Sequence, residues 1–269
     1  MTLLQVSGLT KTFPGRDTPA VDNVSFSLAQ ESALGIVGES GSGKSTTARL
    51  VAGLIRADSG SVLFDGQELV GASGRALRTV RKDLQFVFQD PFSSLNPRMR
   101  VSELVGEGLL VHGIEKDARR RRDFVVQTLE SVGLGAEHLD RYPRSFSGGQ
   151  RQRIAIARAI AVRPRVLICD EVVSSLDVSV QAQVLNLLGA LRADLGISIL
   201  FIAHDLAVVR YLCDQVAVMS EGSVVEAGSR DAVYESPQHP YTRSLLAAVP
   251  IPDPTAERAR RAALQQGAS

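Results

Sequence analysis

Cysteine is scarce in this 269-residue sequence, where Cys169 and Cys213 are the only two. Two isolated thiols form neither a disulfide framework nor a spaced metal cluster. Cys169 lies inside the apolar run VLIC, where a buried, inert thiol is expected. An excess of one charge is missing too. With 30 Lys and Arg against 29 Asp and Glu, the net charge is +1, so no global field points to nucleic acid or an anionic membrane. Long apolar runs are absent: the longest, such as ILFIA at 199–203, fall far short of the ~20 residues that span a bilayer. The opening MTLLQVSGLTKTF lacks the basic start, apolar stretch and small-residue cleavage site of a signal peptide. These absences place the chain in the cytosol as an expectation, with any membrane part supplied by other subunits.

What is present is an ordinary globular composition, 44% apolar and 22% charged, with enough length for one or two domains around a substantial core. LLQVSGLTKTF, VDNVSFSLA and ALGIVG are short, β-branched and partly alternating, which predicts strands. Residues 44–54 change to helical spacing, and SVLFDG and LQFVFQ predict further strands. The stretch 91–160 differs, with helices expected over 101–110, 117–132 and 150–161. In the middle one, Val125, Leu129 and Val132 make an apolar face at i, i+4, i+7. Strand and helix then alternate: RVLICD, a helix over 178–194, SILFIA, a helix over 205–212, and QVAVM. That order predicts an α/β fold with a mainly parallel sheet covered by helices, interrupted by a helical insertion. The tail from 251 is Pro-rich and then polar, suiting a short helix or disorder. RRRR at 119–122 falls on the polar side of an amphipathic helix, where a solvated face is the plainer reading than a nucleic-acid or lipid patch.

The chemistry gathers at strand ends. GESGSGKS at 38–45 fits G-x-x-x-x-G-K-[ST] and lies between a predicted strand and a predicted helix, the context that motif requires. Its glycines let consecutive N–H groups turn inward around phosphates, Lys44 brings positive charge to the β- and γ-phosphates, and the Ser45 hydroxyl can ligate Mg²⁺. Gly38, Glu39, Ser40, Gly41, Ser42, Gly43, Lys44, Ser45 and the adjoining Thr46 are therefore nucleotide-binding candidates. VLICDE ends an apolar strand in Asp170 and Glu171, at the sheet edge where open α/β folds bind ligands. Asp170 suits Mg²⁺, and Glu171 can face a water attacking the γ-phosphate. His204 ends SILFIAH and is a candidate γ-phosphate contact, although a lone His is more often structural. Gln89 ends LQFVFQ, where its amide could meet Mg²⁺ or the attacking water.

A second anion-suited feature, SFSGGQ at 145–150, opens another predicted helix with Ser147, Gly148, Gly149 and Gln150. Two phosphate-binding features in one chain need an explanation. Together, GESGSGKS, Gln89, SFSGGQRQR, VLICDE, SSLD at 174–177 and His204 resemble, in that order, the ATP-binding cassette (ABC) ATPases, over roughly residues 3–250. The resemblance implies a P-loop core with an N-terminal antiparallel β subdomain and an inserted α-helical subdomain, binding ATP and Mg²⁺. It further implies that two such domains pair head to tail, so that Ser147, Gly148, Gly149 and Gln150 cover the γ-phosphate held by the partner. Glu171, His204 and Gln89 become the catalytic residues, Ser45, Gln89 and Asp170 the metal contacts, and Phe13 the aromatic that stacks on adenine, where Tyr is more usual. Asp177 would link the two sites. Phe146 replaces a usual Leu, and Val172 and Val173 replace Pro-Thr, which bears on the loop leading to Asp177.

Narrower stretches, VFQDPFSSLNPRMRV at 87–101, LDVSVQAQVLNLL at 176–188 and HPYTRSLLAAVP at 239–250, resemble the ATPase subunits of oligopeptide, dipeptide and nickel importers. That implies one ATPase domain over 1–250, with a core of 1–90 and 161–235, a helical subdomain at 91–160 and a C-terminal extension at 236–269. It also implies a second ATPase chain, non-identical by this resemblance, and two transmembrane permease subunits docking near 90–101 through Phe92, Leu95 and Met99. A solute-binding protein would follow indirectly. The chain would then be peripheral on the inner face of the cell membrane, taking up peptides or related solutes. A nickel or metal-chelate importer, or a soluble phosphonate-cleaving complex, are the alternatives; a nucleic-acid partner is not expected.

Overall fold

Every residue of the segments 33–37, 166–170 and 198–203 is buried, which fits strands covered on both faces rather than one. The computed structural model describes residues 1–248; the predicted tail from 251 lies outside them. Along the chain run β1 (Thr2–Lys11), β2 (Val21–Ala29), β3 (Ala33–Val37), α1 (Lys44–Val51), β4 (Ser59–Phe64), β5 (Gln67–Glu68), α2 (Gly74–Asp83) and β6 (Leu84–Val87). Helices α3 (Pro91–Ser94), α4 (Val101–Val111), α5 (Ala118–Ser131) and α6 (Gly148–Ile160) come next. The chain then alternates through β7 (Val166–Asp170), α7 (Val178–Leu195), β8 (Ser198–Ala203), α8 (Leu206–Leu212) and β9 (Gln215–Ser220). It continues with β10 (Ser223–Ser229), α9 (Arg230–Glu235) and α10 (Pro240–Ala248).

The strands form two sheets. A four-stranded antiparallel sheet has the order β2-β1-β4-β5, and a six-stranded sheet has the order β10-β9-β3-β8-β7-β6. In the larger sheet β9, β3, β8, β7 and β6 pair in parallel, and β10 pairs antiparallel with β9. The register matters for chemistry: Val37 lies opposite Ala203, Asp170 opposite Ile202, and Val87 opposite Cys169. The C-terminal ends of β3, β8, β7 and β6 therefore finish along one edge, the place where open α/β sheets carry their sites.

Alternate residues of the parallel strands feed two cores. Leu34, Ile36, Ile168, Leu200 and Ile202 pack with Leu50, Val51 and the antiparallel sheet's Leu4, Val6 and Leu9. Leu167, Cys169, Ile199 and Phe201 pack with α6, α7 and the helices of the insertion. The expected apolar face of α5 is present, with Val125, Leu129 and Val132 all in this second core. Burial pushes the Cys169 thiol far above its ordinary pKa, as it does Cys213, which leaves both unreactive.

The basic run is tied locally. Arg122 meets Asp140 at 3.1 Å, Arg120 meets Glu115, and Arg121 donates to the carbonyls of Glu115 and Lys116. Six elements escape the sequence reading: β5, α2, α3, β10, α9 and α10. Helix α2 buries only Val80 and starts from a Ser73 cap, so it lacks an apolar stripe to read. Strand β10 is a half-exposed edge strand, without the clean alternation of an inner one.

Candidate functional site

The phosphate loop crosses from β3 to α1. Gly43 precedes the helix with φ of 99°, and a side-chain carbon there would run into the carbonyl oxygen of Ala20, so only glycine closes the loop. Lys44 is buried, 3% exposed, and its ammonium donates to the Gly38 carbonyl at 2.8 Å and the Glu39 carbonyl at 2.7 Å. Ser42, also buried, lies 3.5 Å from the same ammonium. Burial lowers the Lys44 pKa, opposed by the negative charges of Glu171, Asp170 and Glu39.

Ser45 is the second residue of α1, and its hydroxyl donates to Asp170 Oδ1 at 2.6 Å. Asp170 is fully buried at the end of β7. Its other oxygen, Oδ2, has no hydrogen-bond partner among the described residues; the nearest cation is the Arg49 guanidinium at 3.8 Å. Burial raises the Asp170 pKa, against the Ser45 hydrogen bond and Arg49, which lower it. A buried carboxylate oxygen without a hydrogen bond, beside a hydroxyl oxygen, is hard-donor chemistry that fits Mg²⁺. No group of three or more His, Cys, Asp and Glu could hold a metal among the described residues. An ion here would thus complete its shell from phosphate and water oxygens, as Mg²⁺ commonly does.

Glu171 follows with φ of 48°, a left-handed conformation that costs a non-glycine residue roughly 1–3 kcal/mol and tends to be kept at functional sites. Its backbone is held by the Ile202 carbonyl at 3.0 Å and by Ser174, whose hydroxyl donates to the Glu171 carbonyl at 2.9 Å. On the side-chain oxygen Oε2 two neighbours converge: Gln89 Nε2 donates at 3.0 Å, and His204 Nδ1 stands 3.6 Å away. Gln89, Glu171 and His204 come from the ends of β6, β7 and β8, so the parallel register alone brings them together.

Gln89 and Glu171, but not His204, line a cleft of about 530 Å³ together with Phe13, Arg16, Ala20, Ser40, Gly41, Gly43, Lys44, Ser45 and Thr46. Phe13 is half-buried on its wall, with Lys11 Nζ 5.8 Å from the ring centre. Arg16 and Arg49 are additions the sequence reading missed. Arg49 stands four residues after Ser45 on α1, a same-face spacing that could have flagged it.

Ser147, Gly148, Gly149 and Gln150 do not line this cleft. They form the solvent-facing start of α6, where Ser147 Oγ accepts from the Gln150 N–H at 3.3 Å and Gln150 Oε1 accepts from the Ser147 N–H at 3.1 Å, a reciprocal capping box. A side chain at Gly149 would press on the Val180 side chain of α7. Phe146 just before is buried in the core. Val172 and Val173 are buried too, and the Gln181 amide donates to the carbonyls of Val173 and Leu176, closing the loop that leads to Asp177. Asp177 itself caps α7, accepting from the Val180 N–H at 3.0 Å.

One expectation is narrowed. Leu95 is 2% exposed and part of the core, reaching the adjoining groove only as part of its floor, and Met99 is half-buried against the same core. Only Phe92 of the three stands out, 63% exposed with the Arg151 guanidinium 3.7 Å from its ring centre. Phe92 lies on the outer side of the four-residue α3, and Leu95, just after it, turns inward. Beside it runs a groove of about 400 Å³ whose lining includes Leu54, Phe86, Phe88, Ala155 and Arg158.

Residues 21–174 match the family model described as ABC transporter, and residues 225–268 match one described as oligopeptide/dipeptide transporter, C-terminal region. The chain is 49% identical over 261 residues to the oligopeptide transport ATP-binding protein OppF of Bacillus subtilis, covering 96% of this chain and 86% of that protein. It is 50% identical over 272 residues to the glutathione import ATP-binding protein GsiA of Salmonella typhi, covering 97% of this chain but 43% of GsiA. The chain thus spans less than half the length of that relative. Among solved structures, it resembles the ATP-binding cassette MJ0796 in a dimeric post-hydrolysis state bound to ADP and Pi, with TM-score 0.77, 27% identity, and coverage of 84% of this chain and 98% of that one. It likewise resembles cbiO1 of Clostridium perfringens, described as part of the ABC transporter complex cbiONQ, with TM-score 0.78, 29% identity, and coverage of 87% and 91%. A phosphate loop, a Glu171 set among Gln89 and His204, and a serine-glycine cap outside that cleft thus coincide with a family match over more than half the chain: this protein belongs to the ABC transporter ATP-binding family.

Proposed function

We propose that this chain is the ATP-hydrolysing subunit that energises an importer of peptides or related solutes. The observation that carries the reading is the convergence of Gln89 Nε2 and His204 Nδ1 on Glu171 Oε2 at the wall of the Lys44 cleft. The phosphate loop and Lys44 bind the triphosphate, and Phe13 stacks on the base. Ser45 and Asp170, with Gln89, would hold Mg²⁺, which would supply charge that neutralises the phosphates. Gln89 orients the Glu171 carboxylate, which takes a proton from water as the water oxygen bonds to the γ-phosphorus. The bond to the bridging oxygen then breaks and ADP leaves. His204 contacts the γ-phosphate.

The exposed cap of Ser147, Gly148, Gly149 and Gln150 suits a γ-phosphate held by a second ATPase chain, paired head to tail and non-identical to this one. Two permease subunits would dock near 90–101, using Phe92 and the adjoining groove, and would keep the chain peripheral on the cytoplasmic face of the membrane. A solute-binding protein would deliver the cargo. The segment 1–250 then works as one ATPase unit, with a helical arm at 91–160 on a core of 1–90 and 161–235 and an extension from 236. In this unit the chain's own binding and release of ATP become closure and opening of the pair.

The test is gentle extraction of the tagged chain from its native membranes and identification of what accompanies it. Two multi-span subunits and a second cassette chain are the expected companions. Soluble enzymes in their place would overturn the transport reading and leave the ATPase chemistry standing.

A further inference from the structure

The HPYT quartet at 239–242 takes no part in the chemistry above, yet its fold leads back to the phosphate loop. Glu226 on β10 accepts the N–H groups of Gln238 at 2.8 Å and His239 at 3.0 Å, which fixes where α10 begins. His239 Nδ1 accepts the N–H of Tyr241 at 3.2 Å, satisfying one free donor of the first turn. Pro240 opens the helix, where its missing N–H is no loss, and Thr242 is fully buried. Tyr241 packs its side chain against the sheet core. Its hydroxyl accepts the backbone N–H of Glu39 at 3.0 Å, across 202 positions of sequence.

Glu39 is the residue whose carbonyl, at 2.7 Å, holds the Lys44 ammonium. It is therefore gripped on both sides, by α10 through its N–H and by Lys44 through its C=O. Phosphate loops work by preorganisation, since their N–H groups and lysine must already face the anion. A loop free to rotate at Glu39 spends part of its time in unsuitable conformations, and apparent affinity falls by the suitable fraction.

We propose that Tyr241 is a positioning residue for nucleotide binding, and that α10 is a clasp holding the Glu39 end of the phosphate loop in the shape that seats Lys44. The proposal rests on the reading of the Lys44 cleft as the ATP site. It accounts for all four letters of the quartet: a cap, a helix start, a clasp and a buried anchor.

Tyr241→Phe removes one oxygen and keeps the ring. In calorimetric titrations of the full chain with Mg·ATP, the variant should bind about threefold to tenfold more weakly, the range expected for one neutral hydrogen bond. Amide hydrogen exchange at Glu39 should quicken, with the thermal midpoint without nucleotide close to wild type. A variant that melts lower but has wild-type affinity and wild-type exchange at Glu39 would overturn the clasp. Lys44→Ala, titrated alongside, separates the two claims. If wild type binds, Lys44→Ala does not, and Tyr241→Phe matches wild type, the clasp alone falls. If wild type takes up no Mg·ATP, or no more than Lys44→Ala, the ATP-site reading falls and the clasp's role in nucleotide binding with it.

Discussion

Asp170→Asn should make the protein more stable and less able to use Mg²⁺. The wild-type carboxylate is fully buried, with one oxygen satisfied by Ser45 and the other without a hydrogen bond. Burial raises its pKa above the unfolded value. For an acid raised in this way, ionisation costs folded-state stability. The cost is absent below the unfolded pKa, grows as pH rises through the interval between the two, and is fully present above the folded one. Asn can keep the bond from Ser45 while exchanging a charged orphan for a neutral one, a change of about 1–2 kcal/mol. At roughly 2–4 °C per kcal/mol for a chain of this size, the variant should melt about 2–8 °C higher in EDTA near neutral pH. That advantage should shrink as pH falls and the wild-type carboxyl is protonated. Saturating Mg·ATP should invert the order: at a hundredfold excess over Kd the wild type gains about 2.7 kcal/mol, and the variant much less. Scanning calorimetry across both conditions decides it. A variant that melts below wild type in EDTA at neutral pH would refute the reasoning, because it would mean that Ser45, Lys44 and Arg49 outweigh burial.

Glu171→Gln should retain Mg·ATP binding, lose about 10²–10⁴-fold in turnover as a removed general base does, and accumulate as an ATP-bound pair in light scattering; normal turnover would remove Glu171 from the role. Leu95→Ala should destabilise by about 2–5 kcal/mol as a buried leucine does, whereas Phe92→Ala should cost no more than the ~1 kcal/mol of an exposed Arg151 cation–π contact and instead weaken co-purification of membrane subunits, both read by urea unfolding and affinity capture.

The parts of the site legible in sequence are those where chemistry and local fold coincide. Residues 38–45 announce themselves because the motif needs a strand before it and a helix after it, and Asp170, Glu171 and His204 because each ends an apolar strand. Gln89 was legible only in company: its bond to Glu171 comes from the pairing of β6 with β7, which no local signal reports. Phe92 and Leu95 look alike in sequence, and only the packing of α3 on α6 sends one to solvent and the other to the core. Helix α2 was missed because Val80 is its one buried residue. In sequence Tyr241 belongs to a stretch marked only by resemblance, and its contact with Glu39 requires the whole fold to bring the two together.

Helix α6 has a consequence of its own. Its first residues form the exposed cap at Ser147 to Gln150, while Ala155, Arg158 and Ala159 further along it line the groove beside α3. With 13 residues at ~1.5 Å each, it is a rod about 20 Å long. Arginines pin it to its neighbours at successive levels: Arg151 to the Pro143 carbonyl, Arg153 to the Val132 carbonyl, and Arg158 to the Ser94 carbonyl and Glu107. These bonds tie the helix to its neighbours along most of its length. The exposed cap and part of the groove wall therefore belong to one continuous helix, so a displacement of that helix displaces both surfaces together.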